Sequence, residues 1–254
     1  ELSTMVSRFQ DEEIEIDEQA RSYLGAVESS YALSQILQQN PDILRAAGGQ
    51  LPAIIKGVVG EISVLSSLLS GGDSSVNGDE ALRSVSAYEN SVQQAFADGK
   101  LDQPARAYAM FRAQEIRLAF QIARMQQGSA GVISNADFDN ALTSIRSSND
   151  PNTWADSIRG LMVRDEVKVE SAIRDFGRLT NVQLAIAVQD EAGLSGFVNV
   201  AGLQERVADA RLADAYEWLK SGNPLIPAQP VAPVATVAPV APVTPVDPEP
   251  VDPF

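Results

Sequence analysis

Neither cysteine nor histidine occurs among the 254 residues. Their joint absence excludes thiol nucleophiles, disulfide scaffolds, zinc fingers, haem ligation and every Ser-His or Cys-His catalytic pair. Any chemistry would fall to carboxylates, Lys, Tyr or Ser. The lack of cysteine also leaves the redox compartment open. Basic residues are few, 19 against 34 acidic ones, for a formal charge of −15. A field of that sign repels phosphate backbones and anionic lipid surfaces, so little direct nucleic-acid binding is expected.

Missing too is a positively charged, apolar leader. The chain opens on "ELSTMVSRFQDEEIEIDEQ", acidic where a secretory signal would be basic. Residues 1–16 read as an acidic N-terminal segment that continues from a longer chain.

At the other end, ten of the fourteen prolines fall at or after Ser221, in "SGNPLIPAQPVAPVATVAPVAPVTPVDPEPVDPF". Proline fixes φ and has no N–H to donate, so residues 221–254 should form an extended arm close to polyproline II. Such an arm has no hydrogen bonds of its own. Its Val and Leu side chains suit docking on a neighbouring subunit or partner protein, at low entropic cost.

Between the two lies a helical domain, residues 17–220. After Asp17 and Glu18, Leu24, Val27, Tyr31 and Leu37 fall near one face, and Asn40-Pro41 stops the helix. In residues 51–70, Ile54, Ile55, Val58, Val59, Ile62, Leu65, Leu68 and Leu69 predict one helical stripe, with Pro52 in its first turn and Gly71 as C-cap. About 20 residues could span a membrane. Lys56 and Glu61 and the one-sided stripe favour a core helix instead, with membrane contact as the lesser alternative.

"GGDSSVNGDE" reads as a loop, with Asp79 capping the next helix. Pro104 then opens a helix about 35 Å long. Tyr108, Phe111, Leu118, Ile122 and Met125 form one apolar face, and Ala109, Ile116, Phe120 and Ala123 a second. Two apolar sides place this helix at the centre of its bundle. Arg106, Arg117 and Arg124 share the remaining ridge and should pair with carboxylates.

The interruption "QQGSAGVISNADFDNAL", residues 126–142, follows. Gly128 suits a left-handed C-cap and Gly131 a second sharp turn. Ser134 and Asp137 have the spacing of an N-cap pair, so a new helix should start there, with Phe138, Leu142 and Ile145 on its apolar side. A calcium loop read from Asn135, Asp137 and Asp139 would need Gly at its sixth position and Glu at its twelfth. The chain has Asn140 and Arg146, so that reading fails.

Residues 110–145, "MFRAQEIRLAFQIARMQQGSAGVISNADFDNALTSI", resemble a helix, glycine turn and helix segment of virion-associated proteins of tailed bacteriophages. The resemblance implies a structural component of a phage virion, internal or ejected during DNA delivery. It would be a homo-oligomer in contact with copies of itself and with portal, tail or core proteins.

Farther on, Asp150-Pro151 starts a helix with Trp154, Ile158, Leu161, Ile173 and Phe176 for packing. "NVQLAIAVQ" fits strand or continued helix. Gly193, Gly196 and Gly202 mark a loop, and "LQERVADARLADAYEWLKSG" forms the last helix, ended by Gly222 and Pro224. The carboxylate pairs Asp11 with Glu12 and Asp165 with Glu166 are neighbours in sequence. On a helix they point apart and make no acid-base site. Tyr216 and Trp218 could stack a sugar, but fit better as core or interface anchors.

The expectation is an all-α protein of six to eight helices with an extended Pro/Val arm. It would be no enzyme, with no catalytic, cofactor or metal residue, and would act by assembly in a virion. The competing expectation is the helical, non-catalytic part of a larger cell-wall-degrading or membrane-penetrating virion protein.

Overall fold

The computed structural model describes residues 2–45, 50–62, 65, 75–127, 132–146, 148–187 and 210–226. Among them are seven α-helices and one two-stranded ribbon, so the chain is all-α. In order they are α1 (Leu2–Gln39), a 3-10 turn (Pro41–Leu44), α2 (Leu51–Val59), β1 (Ser75–Asn77), α3 (Gly78–Ala97), α4 (Gln103–Gln127), β2 (Val132–Ser134), α5 (Asn135–Ile145), α6 (Pro151–Ala187) and α7 (Ala210–Ser221).

The helix opened by Pro104 is central, as its two apolar faces require. α4 packs on α1 along one side and on α3 and α5 along the other, while α1 also meets α6 and α7. Tyr108, Phe111, Leu118, Ile122, Ala109, Ile116, Phe120 and Ala123 are all buried. Phe120 meets Phe138 of α5 with ring centroids 4.6 Å apart. Burying each such ring contributes about 1.5–3 kcal/mol.

Small residues bring α1 and α4 close together. Ala20, Ala26, Ser29 and Ser30 of α1 are buried, and Ser29 Oγ donates to Gln121 Oε1 at 2.9 Å. A Cβ at Gly25 would lie 2.4 Å from Gln121 Nε2, so only glycine leaves room for that amide in its present position.

Several local expectations change. α1 starts at Leu2 rather than after Asp17 and Glu18, so one helix crosses from the acidic segment into the helical domain. Its Glu-rich stretch is made of good helix formers. The single helix expected over residues 51–70 is interrupted after Val59, because Gly60 adopts φ +86° and its N–H closes on the Lys56 carbonyl; Ile62 and Leu65 of the stripe still pack on the core, and Leu68 and Leu69 lie outside the described residues. Asn77, not Asp79, caps α3, accepting from Asp79 N–H and Glu80 N–H. Part of the expected loop is strand: Ser75, Val76 and Asn77 pair antiparallel with Ser134, Ile133 and Val132. The ambiguous "NVQLAIAVQ" stays helical through Ala187. Gly71, Gly128, Gly131, Gly193, Gly196, Gly202 and the arm from residue 227 lie outside the described residues.

The N-cap expected at Ser134 is present. Its Oγ accepts the Asp137 N–H at 3.3 Å, and its hydroxyl donates to the Asp137 carboxylate. The ribbon thus uses one device twice, a buried apolar residue (Val76, Ile133) followed by a capping residue (Asn77, Ser134) and a helix. Two three-residue strands alone are marginal. Running each into a capped helix fixes them.

Candidate interaction site

Where α7 ends, the chain is fastened to the start of α6. Gly222 turns it with φ +62°, and Arg159 Nη1 donates to the Asn223 carbonyl at 2.6 Å. Leu225 is buried. Asn152 Nδ2 donates to the Ile226 carbonyl at 3.2 Å, and the Ile226 N–H donates back to Asn152 Oδ1 at 2.8 Å. The Asn152 amide pairs with this main chain as a neighbouring strand would. The root of the Pro/Val arm is therefore part of the folded body.

Beside Asn152, the first turn of α6 faces a groove of about 360 Å³ lined by Ile43, Leu44, Phe111, Ile145 and Trp154. A second groove, of about 320 Å³, is lined by Ile55, Ile62, Tyr88 and Ile116. The two share Pro52, Tyr108 and Arg112 and so adjoin as a trough whose apolar and aromatic walls, Trp154, Tyr108, Phe111, Ile145 and Ile116 among them, are almost wholly buried. On the outer face of α2, Ile54 and Val58 remain exposed. Burial pushes the Tyr88 hydroxyl up to about 12, with Arg112 opposing and Tyr108 adding, so it remains a neutral donor at physiological pH.

The floor of the trough is ionic. Glu115, with only 4% of its side chain exposed, accepts from Arg146 Nε at 2.7 Å and Nη2 at 3.1 Å, and from Arg112. Arg146, whose side chain rules out a calcium ligand, is the clamp that ties α5 to α4. Residues 135–145, where that calcium loop would lie, are helical. Among the described residues no group of acidic side chains is arranged to hold a metal.

Comparison with family models, with curated proteins and with solved structures finds no match. The geometry must therefore carry the functional reading.

The residues singled out in the sequence are mostly tied into the fold. Arg117 pairs with Glu89 at 2.5 Å, and Arg124 with Asp79 at 2.7 Å and Glu18 at 3.6 Å. Arg106 departs from the expected pattern, bonding Gln93 Oε1 at 3.2 Å and lying over the Phe96 ring. Asp165 and Glu166 are both buried and take separate partners. Asp165 meets Arg164 and Lys168, while Glu166 accepts from the Tyr216 hydroxyl and from Lys220 at 2.5 Å. Tyr23 packs beside them, its hydroxyl pushed up by burial and further by Glu166, Glu170 and Asp165. Trp218 lies tilted against Tyr31, ring centroids 6.2 Å apart, and under Arg159, inside the α1–α6–α7 junction rather than on a sugar-binding face.

Asn152, Glu115 and the trough had no sequence signal of their own. Arg112 and Glu115 are visible as an i,i+3 pair, but Arg146 joins them only through the fold.

Proposed function

We infer that this chain is a non-catalytic structural subunit that assembles through its helix faces and its C-terminal arm. The observation that carries the reading is the Asn152–Ile226 clamp, which fastens the residue just before the Pro/Val segment to the start of α6. An anchored arm transmits force and position to whatever it binds, as a loose linker does not. The resemblance of residues 110–145 to tailed-phage virion proteins supplies the context, a structural or ejected part of the particle. Local helical contacts suit a protein that loosens and refolds during delivery.

Light scattering on the full chain tests the reading. A defined multi-subunit mass is expected, falling when residues 227–254 are deleted, a cut that spares the clamp. Symmetric copies about a portal or tail axis in electron micrographs of the native assembly would place it in a virion. A lone monomer at all concentrations would overturn the reading.

A further inference from the structure

Few apolar groups hold α7 on the bundle. Of its described side chains only Ala215 and Leu219 are buried, and Leu225 follows beyond its end. Its other ties are polar. The Glu166 carboxylate accepts from Tyr216 and Lys220, Arg159 donates to the Asn223 carbonyl, and Asn152 pairs with Ile226.

At the same junction three polar atoms are buried without a hydrogen-bond partner: the Tyr23 hydroxyl of α1, Nε of Arg159 on α6 and Nε1 of Trp218 on α7. Trp218 belongs to α7, and Arg159 lies over its ring at 4.8 Å. Tyr23 is completely buried, and Glu166, the residue that α7 caps, is the charge that acts on it most. A buried donor left unpaired bears its full desolvation cost until water reaches it. Departure of α7 opens all three to water. The central helix also carries unpaired nitrogens, on Arg117 and Arg124, but it buries two apolar faces that offset them. In α7 two buried residues stand against three unpaired atoms.

We propose that residues 210–226, α7 and the clamp after it, are a latch that leaves α1 and α6 as one unit while the rest of the bundle stays folded. Arg159 joins the two parts, since the guanidinium that lies over Trp218 also holds the Asn223 carbonyl. Release frees the root of the arm. That consequence rests on the assembly reading above, whereas the release itself is a property of the single chain.

Hydrogen exchange of the full chain, read by mass spectrometry at increasing urea, tests the latch. Peptides from residues 210–226 should be protected about a hundredfold less than those from α4, with little dependence on urea below the global transition, as for an opening that exposes little surface. Tyr23→Phe keeps the ring and removes only the unpaired hydroxyl, so it should slow exchange in 210–226 about tenfold. Glu166→Gln removes the charge from the bonds to Tyr216 and Lys220 and should speed it about tenfold.

Exchange in 210–226 that matches α4 in protection and urea dependence would overturn the proposal, because α7 would then open only with the whole chain. So would an unchanged rate in either variant. Faster exchange in Tyr23→Phe would overturn it too, since the hydroxyl would then be paired and holding the junction together. Any of these results in a chain of multi-subunit mass refutes the latch and leaves the assembly reading intact. Early exchange of α7 in a chain that stays monomeric supports the latch and refutes that reading.

Discussion

Removing the Glu115 carboxylate should loosen the trough floor and uncouple α5 from α4. The carboxylate accepts two hydrogen bonds from Arg146 and one from Arg112 while almost fully buried. Charge-assisted bonds of this kind contribute about 1.5–3 kcal/mol each where water is excluded. The guanidiniums of Arg112 and Arg146 are 31% and 40% exposed, so water recovers part of that on their side. Glu115→Ala should therefore cost about 2–4 kcal/mol, and Glu115→Gln, which keeps shape and one acceptor, about 1–2 kcal/mol. Arg146→Ala alone leaves Glu115 paired with Arg112 and should cost about 1 kcal/mol. Urea unfolding of both single mutants and the double mutant measures the coupling directly. A coupling of about 1–2 kcal/mol is expected, equivalent to a few degrees of Tm for a chain of this size. A value below about 0.5 kcal/mol would mean that the clamp behaves as an exposed ion pair, and the argument from burial would fail.

Other consequences are open to the same kind of measurement. Ser134→Ala and Asn77→Ala each remove a cap beside the ribbon and should cost about 1 kcal/mol in chemical denaturation, whereas Asn77→Asp should cost little. Gly25→Ala gains about 1 kcal/mol of helix propensity but displaces Gln121, so it should be neutral or destabilising alone and stabilising in a Gln121→Ala background; equal effects in both backgrounds would count against the close α1–α4 approach. Asp150 caps α6 by accepting from Thr153 N–H and Oγ1, which holds its carboxyl below the ordinary aspartate value. A depressed folded pKa stabilises above the unfolded pKa and is lost as pH falls through the folded one, so any Tm advantage of the wild type over Asp150→Asn should shrink below about pH 4. A difference that holds constant into acid would refute that role.

How far the sequence discloses the fold depends on the range of the interaction. α4 is legible because its apolar positions repeat through two faces, and periodicity is a local signal. The Ser134 cap is legible for the same reason: donor and acceptor lie three residues apart. Gly60 shows why a good stripe can mislead. The apolar spacing continues past it through Ile62 and Leu65, yet one left-handed glycine ends α2. Asn77 and Asp79 lie two residues apart and have nearly equal capping strength, so local sequence does not choose between them. The ribbon joins segments 57 residues apart in strands too short to show alternation. Glu115 with Arg146, and Asn152 with Ile226, are contacts that only the tertiary fold creates. No local pattern could have named them.

Charge and arm together set the sign of a salt response. A chain with a charge of −15 repels its own copies, and that repulsion is screened as ionic strength rises. Were assembly driven by ion pairs between subunits, the same screening would weaken it. An arm neutral from Pro227 through Val246 adds only apolar contact, which salt does not screen and kosmotropic salts strengthen. Assembly through the arm should therefore tighten between about 0.05 and 0.5 M salt, where the Debye length falls from more than 10 Å to about 4 Å. Light scattering at fixed protein concentration should show the mass fraction of oligomer rising across that range. A fall would show that ion pairs, and not the arm, hold the copies together.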